Sequence, residues 1–170
     1  MDKALRQKIK VYQRNNELNH KDASRFLLGV SELFDSCEVQ HWLVFGTALA
    51  ACRDKKFISH DLDIDVAIFH DDADKIVQAI KETSYQLVRQ TKEILTIVAD
   101  KIPMDIYMFE LKNEKYQCMK YSIPQWQLDE FGTVDFCGRT FNTVSCPTAY
   151  FDRLYGLDWK TPKKGHHAQQ

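Results

Sequence analysis

Residues 60–69 of this 170-residue chain read HDLDIDVAIF, and this stretch decides the fold class. Because successive side chains of a strand point to opposite faces, Asp63 and Asp65 share one face while Ile64 and Val66 pack on the other. Two carboxylates side by side on a strand repel each other unless a cation lies between them. Oxygen ligands of this kind select magnesium, manganese or calcium over zinc. The stretch therefore predicts metal-assisted chemistry on an anionic substrate.

A second feature precedes the acidic strand. The apolar run Trp42–Phe45 ends at Gly46, and the composition after it predicts a strand, a glycine turn and a helix that starts at Thr47. Glycine lacks a Cβ, so a phosphate can approach its backbone closely, and the first N–H groups of a helix attract anions. Gly46 and Thr47 are therefore candidate phosphate-binding residues. Arg53, on the connection to the acidic strand, is a candidate for bidentate phosphate binding, with a surface ion pair as the alternative.

The rest of the chain predicts alternating helices and strands. Apolar residues at helical spacing predict one helix capped by Asp22 that runs to Cys37, and another capped by Asp72. Alternating residues over 104–109 predict a strand with Asp105, the third acidic candidate, near its start. Further strands are predicted at 85–89 and 94–98, a hairpin over 134–144, and a closing helix at 147–155. The predicted class is α/β (α+β), a mixed sheet flanked by helices.

Composition narrows the function classes. Lys and Arg total 23 against 24 Asp and Glu, so no strong basic field favours nucleic-acid binding. The five cysteines lack CxxC spacing, which predicts reduced thiols rather than disulfides or a zinc site. We expect a cytoplasmic protein, since no apolar run has signal-peptide or membrane-spanning character. The length predicts one domain over 1–170, with an N-terminal helix within 1–20 and a mobile tail at 163–170.

Two stretches resemble one known family. Residues 46–65, GTALAACRDKKFISHDLDID, resemble without a gap the signature of LicD-type phosphotransferases, in which Gly Thr Leu Leu is followed by an arginine, Phe Ile Pro Trp and Asp Asp Asp Ile Asp. Residues 150–162, YFDRLYGLDWKTP, resemble the family's closing Tyr Gly, Asp Trp and Thr Pro pattern. The chain departs from the signature at Ser59, His60 and Leu62, which replace its proline, its tryptophan and one of its aspartates.

The resemblance implies an enzyme of the nucleotidyltransferase-fold superfamily. By that resemblance Asp63, Asp65 and Asp105 are the catalytic carboxylates and the ligands of Mg²⁺, with Mn²⁺ as a second possibility. Gly46 and Thr47 form the phosphate-side turn. The implied reaction moves a phosphate-linked group, such as phosphocholine or a polyol phosphate, from a nucleotide diphosphate donor to a hydroxyl acceptor. A CDP-alcohol is the favoured donor and a glycan the favoured acceptor.

Several alternatives compete with this interpretation. The same fold and metals would also suit transfer of a nucleoside monophosphate from an NTP to a small molecule, RNA or protein. A noncatalytic module that binds a nucleotide or a partner is a second alternative, and a solvated acidic turn is a third. A calcium loop of the EF-hand type is excluded, because Val66 stands where the loop needs glycine and Asp72 replaces its bidentate glutamate.

Overall fold

The structure is a computed structural model that describes residues 18–162. The tail predicted at 163–170 lies outside this range, as does nearly all of the helix predicted within 1–20. The helices are α1 His20–Ser36, α2 Phe45–Leu49, α3 Ala73–Lys81, α4 Trp126–Asp129 and α5 Pro147–Tyr155. A π-helical turn over Ala50–Asp54 continues α2, and a 3-10 turn over His70–Asp72 leads into α3. The strands are β1 His41–Leu43, β2 Ile64–Phe69, β3 Gln86–Gln90, β4 Ile94–Ala99, β5 Ile102–Lys112, β6 Lys115–Cys118, β7 Tyr121–Pro124, β8 Gly132–Phe136 and β9 Arg139–Thr143.

Helix α1 begins earlier than predicted because a different residue caps it. The Asn19 side chain accepts hydrogen bonds from the N–H groups of Lys21 and Asp22, at 3.0 and 3.2 Å. The prediction that Asp22 caps this helix was wrong, since Asn19 already satisfies the free N–H groups and Asp22 lies in the first turn. The apolar side of the helix is buried as its spacing predicts, at Ala23, Phe26, Leu27, Val30 and Phe34.

The turn between β1 and α2 also differs from its prediction. Helix α2 starts at Phe45 rather than at Thr47, so Gly46 lies inside the first helical turn. Phe45 has a φ of 46°, in the left-handed region that residues with a side chain rarely adopt. Its N–H donates a hydrogen bond to the Tyr150 hydroxyl of α5, at 3.3 Å, which stabilises this conformation. The turn therefore takes its shape from Phe45 and α5, and not from a glycine.

The main sheet is mixed, as predicted. Its central order is β1-β2-β5-β4-β3, in which β2 and β5 are parallel and the other neighbouring strands are antiparallel. Strand β5 is long, and its last three residues pair with β6, which pairs in turn with β7. Strands β8 and β9 form the predicted hairpin as a separate two-stranded sheet. Placing β5 beside β2 brings the two acidic strands together.

The two faces of the central strands differ in polarity. One face is apolar and fully buried, at Ile64, Val66 and Ile68 of β2 and at Met104, Ile106 and Met108 of β5. Helix α3 lies on this face, since its residues Ala73 and Val77 border a cavity together with Leu95 and Met108. The opposite face carries Asp65 and Asp105. The apolar face thus packs in the core, and the candidate catalytic carboxylates lie on the opposite face.

Most of the buried apolar side chains form one hydrophobic cluster, whose members range along the chain from Leu18 to Trp159. The closing helix α5 contributes Tyr150, Phe151 and Leu154 to it, and the Phe151 ring packs against Trp159 with centroids 4.8 Å apart. Gly156 ends this helix with a φ of 87°, as its position after the last apolar residue predicts. Among residues 18–162, no helix has both the length and the apolar character needed to cross a bilayer.

Candidate active site

The strand register brings the predicted carboxylates together. Asp65 of β2 is paired with Asp105 of the parallel strand β5, so their side chains leave the same face of the sheet from neighbouring strands. Asp63 lies two residues before Asp65, just ahead of β2. Asp61 joins the group from the preceding loop, because its Oδ2 atom lies 3.1 Å from the position that a Cβ would occupy at Gly46. The result is a cluster of four carboxylates at one end of the sheet, which we call the acidic cluster.

Gly46 and Thr47 hold Asp65 in place. The Gly46 N–H donates a hydrogen bond to Asp65 Oδ2 at 3.2 Å, and the Thr47 hydroxyl accepts one from the Asp65 N–H at 2.8 Å. An added Cβ at Gly46 would lie 3.3 Å from Asp65 Oδ2, so glycine leaves room for the carboxylates here. The structure therefore places both residues in the site. Their contact with a phosphate stays a prediction.

Burial and mutual repulsion disfavour the charged forms of these carboxylates. Burial, and then the charges of Asp105 and Asp61, raise the pKa of Asp63 to about 7. Burial, and then the charges of its acidic neighbours, raise the pKa of Asp65 well above its ordinary value, against the opposing effect of the Gly46 N–H. Carboxylates with raised pKa values at one site are candidates for a functional role. A bound cation would relieve the repulsion among them.

Thr96 and Arg89 act on the third carboxylate. Thr96 of β4 is the register partner of Asp105, and its hydroxyl donates a hydrogen bond to Asp105 Oδ1 at 2.5 Å. Burial raises the pKa of Asp105, while the Thr96 hydrogen bond and the charge of Arg89 lower it in part. Asp105 therefore has a fixed orientation on the same face as Asp65.

Four tyrosine hydroxyls are influenced by the charge of the acidic cluster. Burial, and to a smaller extent the charge of Asp65, raises the pKa values of Tyr107, Tyr121, Tyr150 and Tyr155. The Phe45 ring contacts Tyr107 and Tyr121 with centroid distances of 4.7 and 4.5 Å. A hydroxyl with a raised pKa stays protonated at neutral pH and can donate a hydrogen bond to an anion.

Arg53 has other partners in this structure. Its guanidinium forms two hydrogen bonds to the Asp54 carboxylate, at 2.9 and 2.6 Å, and one to the Trp159 carbonyl at 3.1 Å. The side chain is 9% exposed. Arg53 thus forms an ion pair that is buried, whereas the alternative predicted from the sequence was a surface ion pair, and its bond to Trp159 ties the π-helical turn to the closing motif. Phosphate binding by Arg53 stays a prediction.

The donor atoms of the acidic cluster suit a hard divalent cation, since all of them are carboxylate oxygens. Within residues 18–162, no three acidic, histidine or cysteine side chains stand in a geometry that already holds a metal ion. The acidic cluster therefore has the donor atoms of a metal site, but these atoms are not yet arranged around a metal position. Metal binding by Asp63, Asp65 and Asp105 stays a prediction.

Some residues of the site were not among the sequence candidates. Tyr107 could have been found, because it lies two residues after Asp105 on a strand and must share its face. Thr96 and Tyr121 carry no local signal, since only the pairing of β4 with β5 and the position of β7 bring them to the carboxylates. Asp61 was part of the acidic motif but was not assigned to the site.

Substitution of Gly46 by alanine should impair the site more than the fold. The new Cβ would lie 3.1 and 3.3 Å from carboxylate oxygens of Asp61 and Asp65, so both must shift by a few tenths of an ångström. We expect the group transfer that the family resemblance implies to fall by about tenfold or more. Gly29→Ala is the control, because a Cβ there would lie 2.6 Å from the Tyr85 hydroxyl, which belongs to a different part of the fold. Equal transfer rates in Gly46→Ala and wild type would show that this space is not needed.

Two solved proteins share the fold. The antibiotic-resistance factor ANT(2'')-Ia matches with a TM-score of 0.62 and 14% identity, over 82% of this chain and 74% of that one. The lincosamide antibiotic adenylyltransferase LnuA, solved with lincomycin bound, matches with a TM-score of 0.57 and 18% identity, over 80% and 85% of the two chains. ANT(2'')-Ia in complex with adenylyl-2''-tobramycin gives a TM-score of 0.55 and 14% identity, over 80% of each chain. These matches confirm the predicted nucleotidyltransferase fold.

Sequence comparison identifies the family. An uncharacterized protein of Rickettsia typhi is 27% identical over 93 residues, which are 53% of this chain and 29% of that relative. The chain thus spans less than a third of the length of the curated relative that it matches. Residues 38–147 match the family described as LicD/FKTN/FKRP, nucleotidyltransferase domain, and this range contains the whole acidic cluster. Since the match covers more than half of the chain, the protein belongs to the LicD/FKTN/FKRP family and carries its nucleotidyltransferase domain.

Proposed function

We propose that this protein is a magnesium-dependent transferase that moves a phosphate-linked group from a nucleotide diphosphate donor to a hydroxyl acceptor. The observation that carries the proposal is the pairing of Asp65 with Asp105 on adjacent parallel strands, with Asp63 beside them and Gly46 leaving space at the same point. Family membership supports a CDP-alcohol as donor and a glycan as acceptor. A cytoplasmic location is proposed from the sequence alone.

The proposed step exchanges one phosphorus–oxygen bond for another. The hydroxyl oxygen of the acceptor bonds to the phosphorus that carries the headgroup, and the bond from this phosphorus to the bridging oxygen breaks. CMP leaves with the bridging oxygen and its electron pair, while the hydroxyl proton passes to a base. The group that is transferred is therefore the headgroup with its phosphate.

Chain residues have distinct tasks in this step. Asp63, Asp65 and Asp105 would hold Mg²⁺, which supplies charge neutralisation and alignment of the phosphate. Thr96 fixes the Asp105 carboxylate, and the Gly46 N–H fixes that of Asp65. Tyr107, Tyr121 and Tyr155 have raised pKa values, so their hydroxyls keep their protons and can donate hydrogen bonds to the anionic substrate.

A second candidate function is nucleotidyl transfer, and the structural neighbours favour it. LnuA is an adenylyltransferase, and ANT(2'')-Ia has been solved with an adenylylated antibiotic. In that reaction the acceptor oxygen bonds to the α-phosphorus of an NTP, and pyrophosphate leaves. The same carboxylates and metal would serve, because both reactions are in-line displacements at a phosphorus.

Product analysis separates the two functions. The protein is incubated with Mg²⁺ and radiolabelled CDP-choline or CDP-ribitol in one set of reactions, and with each NTP in another, with polysaccharide and small-molecule acceptors. Release of CMP with labelled headgroup on the acceptor supports the first function, whereas pyrophosphate with a labelled nucleotide on the acceptor supports the second. If neither product forms and nucleotides with Mg²⁺ cause no thermal stabilisation, the noncatalytic partner-binding module becomes the better account.

A further inference from the structure

A row of polar side chains crosses the main sheet beside the acidic cluster. Each member is the register partner of the next: Asp65 of β2 pairs with Asp105 of β5, Asp105 with Thr96 of β4, and Thr96 with Arg89 of β3. Residues paired in this way send their side chains from the same face of a sheet. The row therefore begins with the carboxylates of Asp65 and Asp105 and ends with the positively charged side chain of Arg89.

An irregularity in β3 places Arg89 in this row. The pairing of β3 with β4 shifts between Leu87 and Arg89, so that Leu87 faces Ile97 and Arg89 faces Thr96. Without the shift, Val88 would face Thr96. Bulges of this kind redirect side chains and are common beside active sites. Because of the shift, Arg89 rather than Val88 lies on the sheet face that carries Asp65 and Asp105.

Arg89 lacks the partners that a half-buried arginine normally has. Its Nε atom is buried without a hydrogen-bond partner, and within residues 18–162 no carboxylate lies within ion-pair distance of its guanidinium. A buried donor left unpaired destabilises the protein, so a shift of the guanidinium that brings it to an acceptor on a ligand would be favoured. Arg53, by contrast, has its guanidinium bonded to Asp54 and Trp159.

Distance and charge identify the ligand group. Neighbouring strands lie about 4.8 Å apart, so the Arg89 backbone is about 10 Å from that of Asp105, a gap that an arginine side chain and a phosphate can fill together. The charge of Arg89 already acts on Asp105. A guanidinium binds two phosphate oxygens in a fork, and such charge-assisted bonds are the strong ones.

We propose that Arg89 binds a phosphate of the nucleotide donor, on the side of Asp105 away from Asp65. This inference rests on the proposed function, because it needs a nucleotide that is bound at the acidic cluster. Metal at the carboxylates and the guanidinium of Arg89 would then hold the diphosphate from two sides. Arg89 would then be a phosphate-binding residue, although nothing in the acidic stretch 60–69 indicates this role.

Binding measurements with three ligands test the proposal. Dissociation constants for CDP, CMP and cytidine are measured by calorimetry or NMR titration at constant Mg²⁺ for wild type, Arg89→Met, Arg89→Lys and the control Arg25→Met. Methionine keeps an unbranched side chain and removes the charge. Arg25 is an exposed arginine, at 64%, with ion pairs to Asp22 and Asp100. Arg89→Met should weaken CDP binding by about 10- to 100-fold and cytidine binding by less than about twofold.

The outcomes separate this inference from the proposed function. Arg89→Lys keeps a charge but loses the fork, so it should weaken CDP binding by a smaller factor than Arg89→Met. If wild type binds CDP and Arg89→Met binds it equally well, or loses cytidine affinity to the same extent, the phosphate role of Arg89 is overturned and the proposed function stands. If Arg89→Met does not fold, unchanged CDP binding by Arg89→Lys overturns it instead. If wild type binds no CDP with Mg²⁺, both proposals fall.

Discussion

Asp65→Asn is expected to lower group transfer by at least about a thousandfold, while the metal-free protein stays as stable as wild type or becomes more stable. Asparagine has nearly the shape of aspartate, and its Oδ1 atom can still accept the hydrogen bond from the Gly46 N–H. What it removes is a negative charge that is buried among other carboxylates. That charge would ligate the metal, but without the metal it opposes folding, because burial and then the repulsion of its neighbours disfavour it.

Two measurements check this result. Transfer is followed by CMP release at saturating Mg²⁺, and stability by thermal unfolding in chelator and in Mg²⁺. Mg²⁺ should raise the melting temperature of wild type and have little effect on Asp65→Asn. Asp71→Asn is the matched control, since Asp71 is an exposed carboxylate just beyond the other end of the same strand. Transfer by Asp65→Asn within tenfold of wild type would remove Asp65 from the catalytic set.

The sequence predicts the part of the site that lies on one strand. Asp63 and Asp65 share a face because side chains alternate, and this needs only local geometry. Asp105 could be named as an acidic residue near the start of another strand, but its pairing with Asp65 depends on the order β2-β5. Arg89 was placed at the end of a strand with no role. Its position opposite Thr96 depends on a register shift that has no local signature.

The start of α2 shows a second reason why the sequence alone does not predict the site. A glycine after an apolar run predicts a turn at the glycine, because glycine tolerates a positive φ. In the structure Phe45 takes the positive φ, and Gly46 serves instead to leave space beside Asp61 and Asp65. The Phe45 conformation is held by a hydrogen bond to Tyr150, more than a hundred residues away. The residues next to Phe45 in the sequence therefore do not predict its contact with Tyr150.

Asp63→Asn should change the pH dependence of stability when metal is absent. The ordinary pKa of Asp63 is 3.8, and the folded protein raises it to about 7. Below about pH 4 the carboxyl is protonated in both the folded and the unfolded chain, so its protonation does not favour either state. As the pH rises from 4 to 7, the unfolded chain releases the proton while the folded chain keeps it. Stability is therefore lost over this range and stays low above pH 7.

The free energy of unfolding in urea, measured in chelator at pH 4.5 and pH 7.5, gives the size of this effect. Wild type should lose about 2 to 4 kcal/mol more than Asp63→Asn over this interval, since each pKa unit corresponds to about 1.4 kcal/mol. Asp129→Asn, which changes an exposed carboxylate at the end of α4, should follow wild type. Saturating Mg²⁺ at pH 7.5 should restore much of the lost stability to wild type but not to Asp63→Asn, because the same charge that opposes folding would attract the metal. Parallel pH profiles of wild type and Asp63→Asn would contradict the idea that burial and repulsion within the acidic cluster prepare it for a cation.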